Sequence, residues 1–372
     1  MNELSDNRLR KLEAYGQSLW LDYIERKMLT SGAMERLIRD DGISGVTSNP
    51  AIFEKAIAQH AEYDATIAEL ALRGLDAQKI YEELVIEDVC RAADLLRGVY
   101  DASGRRDGYV SLEVSPQLAY DTAATIAEAK RLWNRVARPN LMIKVPGTRE
   151  GLPAIRRLTA AGINVNQTLL FGIARYREVA EHYMSGLEER LERGGALDHV
   201  ASVASFFLSR IDTMVDRSLA RDERMRTREL RGKAAIACAR LAYQEYRSMV
   251  DSARWNSLAA HGARTQRLLW ASTSTKDPAY DDVMYVDTLI GPDTVNTLPP
   301  DTLNAYRDHG DPAMRLEEHL DAARALPGQL AALGLDLDEV SAELEQQGVQ
   351  KFIEPYESLL ATLALRANKL VI

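Results

Sequence analysis

The chain has 372 residues, 46% of them hydrophobic, and a formal net charge of −9. That is enough apolar sequence for one large core, and a (β/α)8 barrel typically takes about 250 residues, more with insertions. The acidic balance speaks against nucleic acid or an anionic membrane as a partner, but leaves room for a single phosphorylated metabolite.

The polar N-terminus, MNELSDNRLR, lacks the apolar core of a signal peptide, and no apolar run is long enough to span a membrane. Cys90 and Cys238 are the only two cysteines and form no C-x-x-C, so a reducing, cytoplasmic setting is expected without disulfides. The six histidines include no H-x-H or H-E-x-x-H pair, so no metal site is expected. Neither G-x-G-x-x-G after a strand nor G-x-x-x-x-G-K-[ST] occurs, which disfavours nucleotide binding.

Eight short apolar runs follow one another along the chain, at residues 18–23, 45–49, 108–114, 141–145, 163–169, 199–208, 267–272 and 284–287. Helical patterns lie between most of them, such as residues 122–135 and 170–191. Strand–helix alternation predicts a parallel sheet with crossover helices, and eight units favour closure into a single TIM barrel spanning about residues 15–300. Residues 51–106 form a long insertion after the second strand, read as two or three helices. Residues 301–372 read as a helical C-terminal extension of the same domain, with helices over 313–325 and 356–369.

Ten of the 46 basic residues are lysines, and Lys144 alone interrupts a strand-like apolar run, LMIKVP. Alternation turns Leu141, Ile143 and Val145 toward the outer helices and Met142 and Lys144 inward. Pro146-Gly147 ends that strand, so Lys144 falls near its carboxyl end, where barrel active sites are built. A desolvated lysine loses its proton more easily and becomes a nucleophile toward carbonyls. The bland alternative is a lysine paired with a carboxylate as core filling.

Other runs also end in polar residues: Asp22, Thr47 and Asn49, Glu113, and Asn166 with Thr168. Helix capping accounts for some of these, Thr47 and Asn49 included. Four runs ending this way, with that of Lys144 as a fifth, point to a polar ring around an amine. Asp22 and Glu113 are the two carboxylates able to move protons. Ser205, Arg210, Ser272, Ser274 and Lys276 follow the sixth and seventh runs as candidate phosphate ligands. Their alternative is structural, with Arg210 paired to Asp212 or Asp216 and residues 272–275 a capping loop.

The motifs LWLDYI, GVTSNPAIF, SLEVSP, LMIKVPGT, INVNQTLLF and VASFFLSRIDTMVD, in this order, resemble transaldolase, in its longer bacterial subfamily. The resemblance runs to about Pro300. It implies that Lys144 forms a Schiff base, that Asp22 acts on the hydroxyl beside the cleaved bond, and that Glu113 works through a water positioned by Thr168. It also implies substrate contacts from Asn49 and Asn166, with Thr47 beside them, and phosphate contacts from Ser205 and Arg210. The implied reaction moves a dihydroxyacetone unit from sedoheptulose 7-phosphate to glyceraldehyde 3-phosphate, giving erythrose 4-phosphate and fructose 6-phosphate. It uses no cofactor, and its partners are small sugar phosphates. Many transaldolases carry an Arg where this chain has Ser274, and Lys276 is expected to supply the missing charge. The runner-up is an aldolase that releases free dihydroxyacetone. A silent sugar-phosphate-binding barrel and a metal-dependent hydrolase are the remaining alternatives, and a monomer and a homodimer both fit.

Overall fold

Eight parallel strands close into a barrel in sequence order, with the last pairing the first. They are β1 (Gln17–Leu21), β2 (Gly45–Val46), β3 (Tyr109–Glu113), β4 (Leu141–Pro146), β5 (Val165–Leu170), β6 (Ser202–Phe207), β7 (Gln266–Ala271) and β8 (Thr294–Leu298). This computed structural model describes residues 7–221 and 225–371. Register places Glu113 opposite Lys144, and Lys144 opposite Asn166. The polar residues flagged on separate strands therefore share one level near the carboxyl ends. β1 ends at Leu21, but the Asp22 N–H still donates to the Leu298 carbonyl at 2.8 Å, carrying the ladder one residue further.

The amino-terminal end of the barrel is closed by a buried polar plug. Arg267 pairs with Asp107 at 3.0 Å and donates to Ser18 Oγ, while Trp20 Nε1 donates to the same Asp107. Burial alone would raise the Asp107 carboxyl, but Arg267 and the hydrogen bonds from Ser18, Arg267 and Trp20 leave it below its ordinary value. Above this plug Trp20 fills the barrel against Gly45, where a Cβ would stand 2.5 Å from the indole. Glycine is required there by close approach, not by φ.

The eighth strand is not residues 284–287. That segment lies in a short helix, Met284–Thr288, and the strand is Thr294–Leu298, TVNTL. Its Thr and Asn residues carry too little apolar signal to stand out, while MYVD does. The insertion after β2 holds four α-helices, Pro50–Gln59, Asp64–Leu72, Ala77–Leu95 and Arg97–Ala102, instead of two or three. The turns between them are short, and Asp76 caps the third by accepting from the Lys79 N–H. The helix read at 313–325 begins later, at Leu320–Ala331. Pro312 disfavours helix at Asp311, and the Arg315 and Leu316 amides are taken by the Ile290 carbonyl.

The last helix, Leu337–Val371, crosses the carboxyl-terminal mouth as a roof. It approaches β5 closely at Gly348, where a Cβ would stand 3.0 Å from Leu169. Ion pairs from Arg175 to Glu345 and from Arg366 to Asp64 hold it on both sides of the mouth. Phe352, Leu359 and Leu363 join the same hydrophobic core as the strands and the insertion. Among the described residues no helix is long and apolar enough to cross a membrane.

Candidate active site

Lys144 is the innermost cation, 3% exposed. β4 brings it to the mouth, and its Nζ donates to the Ser48 carbonyl at 3.0 Å. Glu113 Oε2, on the neighbouring strand, lies 3.8 Å from Nζ, an ion-pair separation too long for a hydrogen bond. Both Glu113 oxygens are buried without a hydrogen-bond partner, as is Thr168 Oγ1 on β5. Burial is the main cause that lifts the Glu113 carboxyl to about 7; Lys144 opposes the rise and Asp22 adds to it. The Asp22 carboxyl is also raised, first by burial, against the attraction of Lys144, a hydrogen bond from Thr47 and the attraction of Lys276.

A second layer of hydrogen bonds orients these groups. Thr47 Oγ1 donates to Asp22 Oδ1 at 2.7 Å and accepts from Thr297 Oγ1 of β8, also at 2.7 Å. Asn166 donates to Ser111 Oγ and accepts from Ser205 Oγ, tying β3, β5 and β6 together beneath the amine. β5 carries a register shift between Gln167 and Leu170, and Leu169 has φ +62°. Such a bulge re-aims neighbouring side chains, here Thr168, at the cost of local strain. Asn49 has two placements at once: its side chain caps the helix Pro50–Gln59 by accepting from the Ile52 N–H, and it also lines the cleft.

Above the amine opens a cleft of about 390 Å³. Asp22, Thr47, Asn49, Lys144, Ser205, Arg210, Ser272, Ser274 and Lys276 all line it. Glu113, Asn166 and Thr168 sit just beneath, in contact with the same strand ends but outside the open volume. All twelve residues singled out from sequence thus lie at one end of one barrel. Arg210 does not pair with Asp212 or Asp216. Asp212 accepts from Tyr285 and the Ala235 amide, and Asp216 from Tyr280 and the Gly232 amide. Arg210 instead lies over the Phe207 and Phe352 rings, 5.5 and 6.0 Å from their centroids, with Nη1 buried and unpartnered. Lys276 donates to Ser274 Oγ at 2.6 Å, and Ser272 Oγ shares a proton with Ser209.

Sequence reasoning did not select Lys55, Thr297, Lys351 or Phe352, all of which line the same cleft. Thr297 belongs to the strand that was misplaced. The other three come from helices, where no strand alternation marks a residue as facing the barrel mouth. With them the lining holds five cations, Lys55, Lys144, Arg210, Lys276 and Lys351, against one carboxylate, Asp22. That balance, with a guanidinium nitrogen lacking a partner, selects an anionic ligand.

A closed (β/α)8 barrel with a buried lysine, two carboxylates and a cationic cleft at the carboxyl-terminal mouth defines the class of lysine-dependent aldol enzymes. Known proteins narrow this class. The family model described as Transaldolase/Fructose-6-phosphate aldolase matches residues 19–363. Transaldolase 2 of Nostoc punctiforme is 50% identical over 374 residues, covering 97% of each chain. The transaldolase of Thiobacillus denitrificans is 49% identical, covering 96% of this chain and 99% of its own. That of Frankia alni is 48% identical, covering 98% of each. The chain belongs to the transaldolase/fructose-6-phosphate aldolase family, and its enzymatic activity is that of a transaldolase.

Proposed function

We propose that the enzyme transfers a dihydroxyacetone unit from sedoheptulose 7-phosphate to glyceraldehyde 3-phosphate through a Schiff base on Lys144. The observation that carries this reading is the placement of the buried Lys144 amine 3.8 Å from a carboxylate, at the floor of a cationic cleft. The Lys144 ammonium passes a proton through water to the Glu113 carboxylate, the neutral Nζ attacks the ketose C2 carbonyl, and the carbinolamine loses water to give an iminium. Glu113 carries the protons of that dehydration through a water held with Thr168. The three unpartnered oxygens of this pair are the acceptors and donor such a water needs. Asp22, held by Thr47, takes the C4 hydroxyl proton. The C3–C4 bond breaks, its electron pair enters the enamine, and erythrose 4-phosphate departs. The enamine then attacks the aldehyde carbon of glyceraldehyde 3-phosphate, Asp22 returns the proton, and hydrolysis frees fructose 6-phosphate.

Asn49 and Asn166 hold the dihydroxyacetone hydroxyls in this reading. Ser205, Arg210, Ser272, Ser274 and Lys276 form the phosphate end. No cofactor takes part. The barrel, insertion and roof act as one domain, and the two free thiols, Cys90 and Cys238, suit a cytoplasmic setting. Borohydride reduction in the presence of fructose 6-phosphate tests the proposal: a three-carbon adduct is expected on the peptide containing Lys144, and labelling elsewhere or none would overturn it.

A further inference from the structure

Two helical elements outside the barrel put cations at the rim of the cleft. Lys55 belongs to the helix Pro50–Gln59 after β2, and Lys351 to the roof helix. Both are exposed and face the same opening as Arg210 and Lys276. Their positions are fixed from behind. Phe352, beside Lys351, is buried with its ring 5.6 Å from Lys144 Nζ and 6.0 Å from the Arg210 guanidinium. The helix that carries Lys55 is capped by Asn49 and joined to the roof by the Glu54–Ser358 hydrogen bond at 3.2 Å.

Like charges converge here, and only Asp22 in the lining and Glu354 on the roof oppose them. Neither Lys55 nor Lys351 forms a salt bridge among the described residues. Burial first, then repulsion from Arg210 and Lys55, lowers the Lys276 ammonium against the attraction of Asp22; burial, then Arg210 and Arg217, lowers Lys351 against the attraction of Glu354. Four cations around one opening repel one another unless an anion sits between them. A flexible lysine with three rotatable donors can meet a phosphate from several angles, whereas Arg210 is fixed by its rings.

We propose that Lys55 and Lys351 are specificity residues that grip the substrate's phosphate from outside the barrel. They complete from the rim the phosphate site whose inner wall is Arg210, Ser274 and Lys276. The inference rests on the transaldolase reading of the cleft and gives the insertion and the roof a shared role: the phosphate is what both close upon.

The test uses the full-length enzyme with Lys55→Met, Lys351→Met and the double variant. For each, kcat/KM is measured with fructose 6-phosphate and with unphosphorylated fructose as donor, together with the inhibition constant of inorganic phosphate. Each single change is expected to lower the phosphorylated-to-unphosphorylated ratio about tenfold, the worth of one charge-assisted contact. The phosphate inhibition constant rises in step, the double variant loses more than either single, and Lys351→Arg restores most of the ratio. An unchanged ratio, or equal losses on both donors, overturns the proposal. Failure of the underlying reading shows separately, as absence of the borohydride adduct on Lys144 in the unaltered enzyme.

Discussion

Glu113 Oε2 stands 3.8 Å from Lys144 Nζ, and both side chains are almost wholly withdrawn from water. Burial outweighs the attraction of Lys144 and holds the Glu113 proton up to about pH 7. An unfolded glutamate releases its proton near 4.3. Between these values the folded chain binds more protons than the unfolded one, so this group's contribution makes stability fall as pH rises through the window. Catalysis runs the other way where the ionised form must act as a base. We expect kcat to rise through about pH 7, reporting the coupled carboxyls of Glu113 and Asp22. Glu113→Gln is expected to remove that inflection and lower kcat by about 10²- to 10³-fold. A pH–rate profile in which the variant keeps the inflection would reassign it.

Lys276 stands two residues past Ser274, the position where an arginine is expected in many transaldolases, and donates to its Oγ. Lys276→Ala is expected to raise the KM for fructose 6-phosphate about tenfold, the loss of one charged contact, with little change in kcat. Lys276→Arg is expected to lower KM, because a guanidinium binds phosphate with two parallel donors. Steady-state kinetics on both variants decides this, and an unchanged KM in the alanine variant would remove Lys276 from the site.

The Phe352 ring lies 5.6 Å from Lys144 Nζ and 6.0 Å from the Arg210 guanidinium, where it is expected to shield the Schiff base proposed at the amine. Removing the ring admits water to the enamine, which then takes a proton instead of waiting for an aldehyde. Phe352→Ala is therefore expected to release more free dihydroxyacetone from fructose 6-phosphate in the absence of acceptor. Direct assay of dihydroxyacetone checks this; release equal to that of the unaltered enzyme would deny the roof a shielding role.

Gly45 faces the Trp20 ring inside the barrel, and a methyl there has no room, since Trp20 is fully buried and tied to Asp107. Gly45→Ala is expected to cost about 1–3 kcal/mol, as overpacking of a filled core does. A fall in the denaturant midpoint measures it, and an unchanged midpoint would mean that β2 can shift to accept the methyl.

The barrel and its chemistry were legible where apolar runs carry a polar residue at their late end. LMIKVP shows this for Lys144 and SLEV for Glu113, because strand alternation converts sequence parity into a facing direction. β8 was lost because TVNTL has only Val295 and Leu298 as apolar residues, three apart and out of strand alternation, leaving MYVD as the stronger apolar signal nearby. Lys55 and Lys351 were illegible for a different reason. Each sits on a helix whose own periodicity says only that it is exposed, and nothing local tells which part of the surface that helix overhangs. Arg210 lay between: its spacing fitted a phosphate ligand and an ion pair with Asp212 or Asp216 about equally, and Tyr285, Tyr280 and backbone amides satisfy those carboxylates.

The roof follows the barrel in the chain, and this order has a consequence for biosynthesis. β8 is complete at Leu298, so all eight strands exist before the helix Leu337–Val371 is translated. A barrel that closed in that interval would expose Leu169 and Phe171, which Gly348 covers in the complete fold. A nascent chain stalled in that interval would display sticky apolar surface beside an uncovered nucleophilic amine. Docking of the final helix is therefore the step that removes this surface from water.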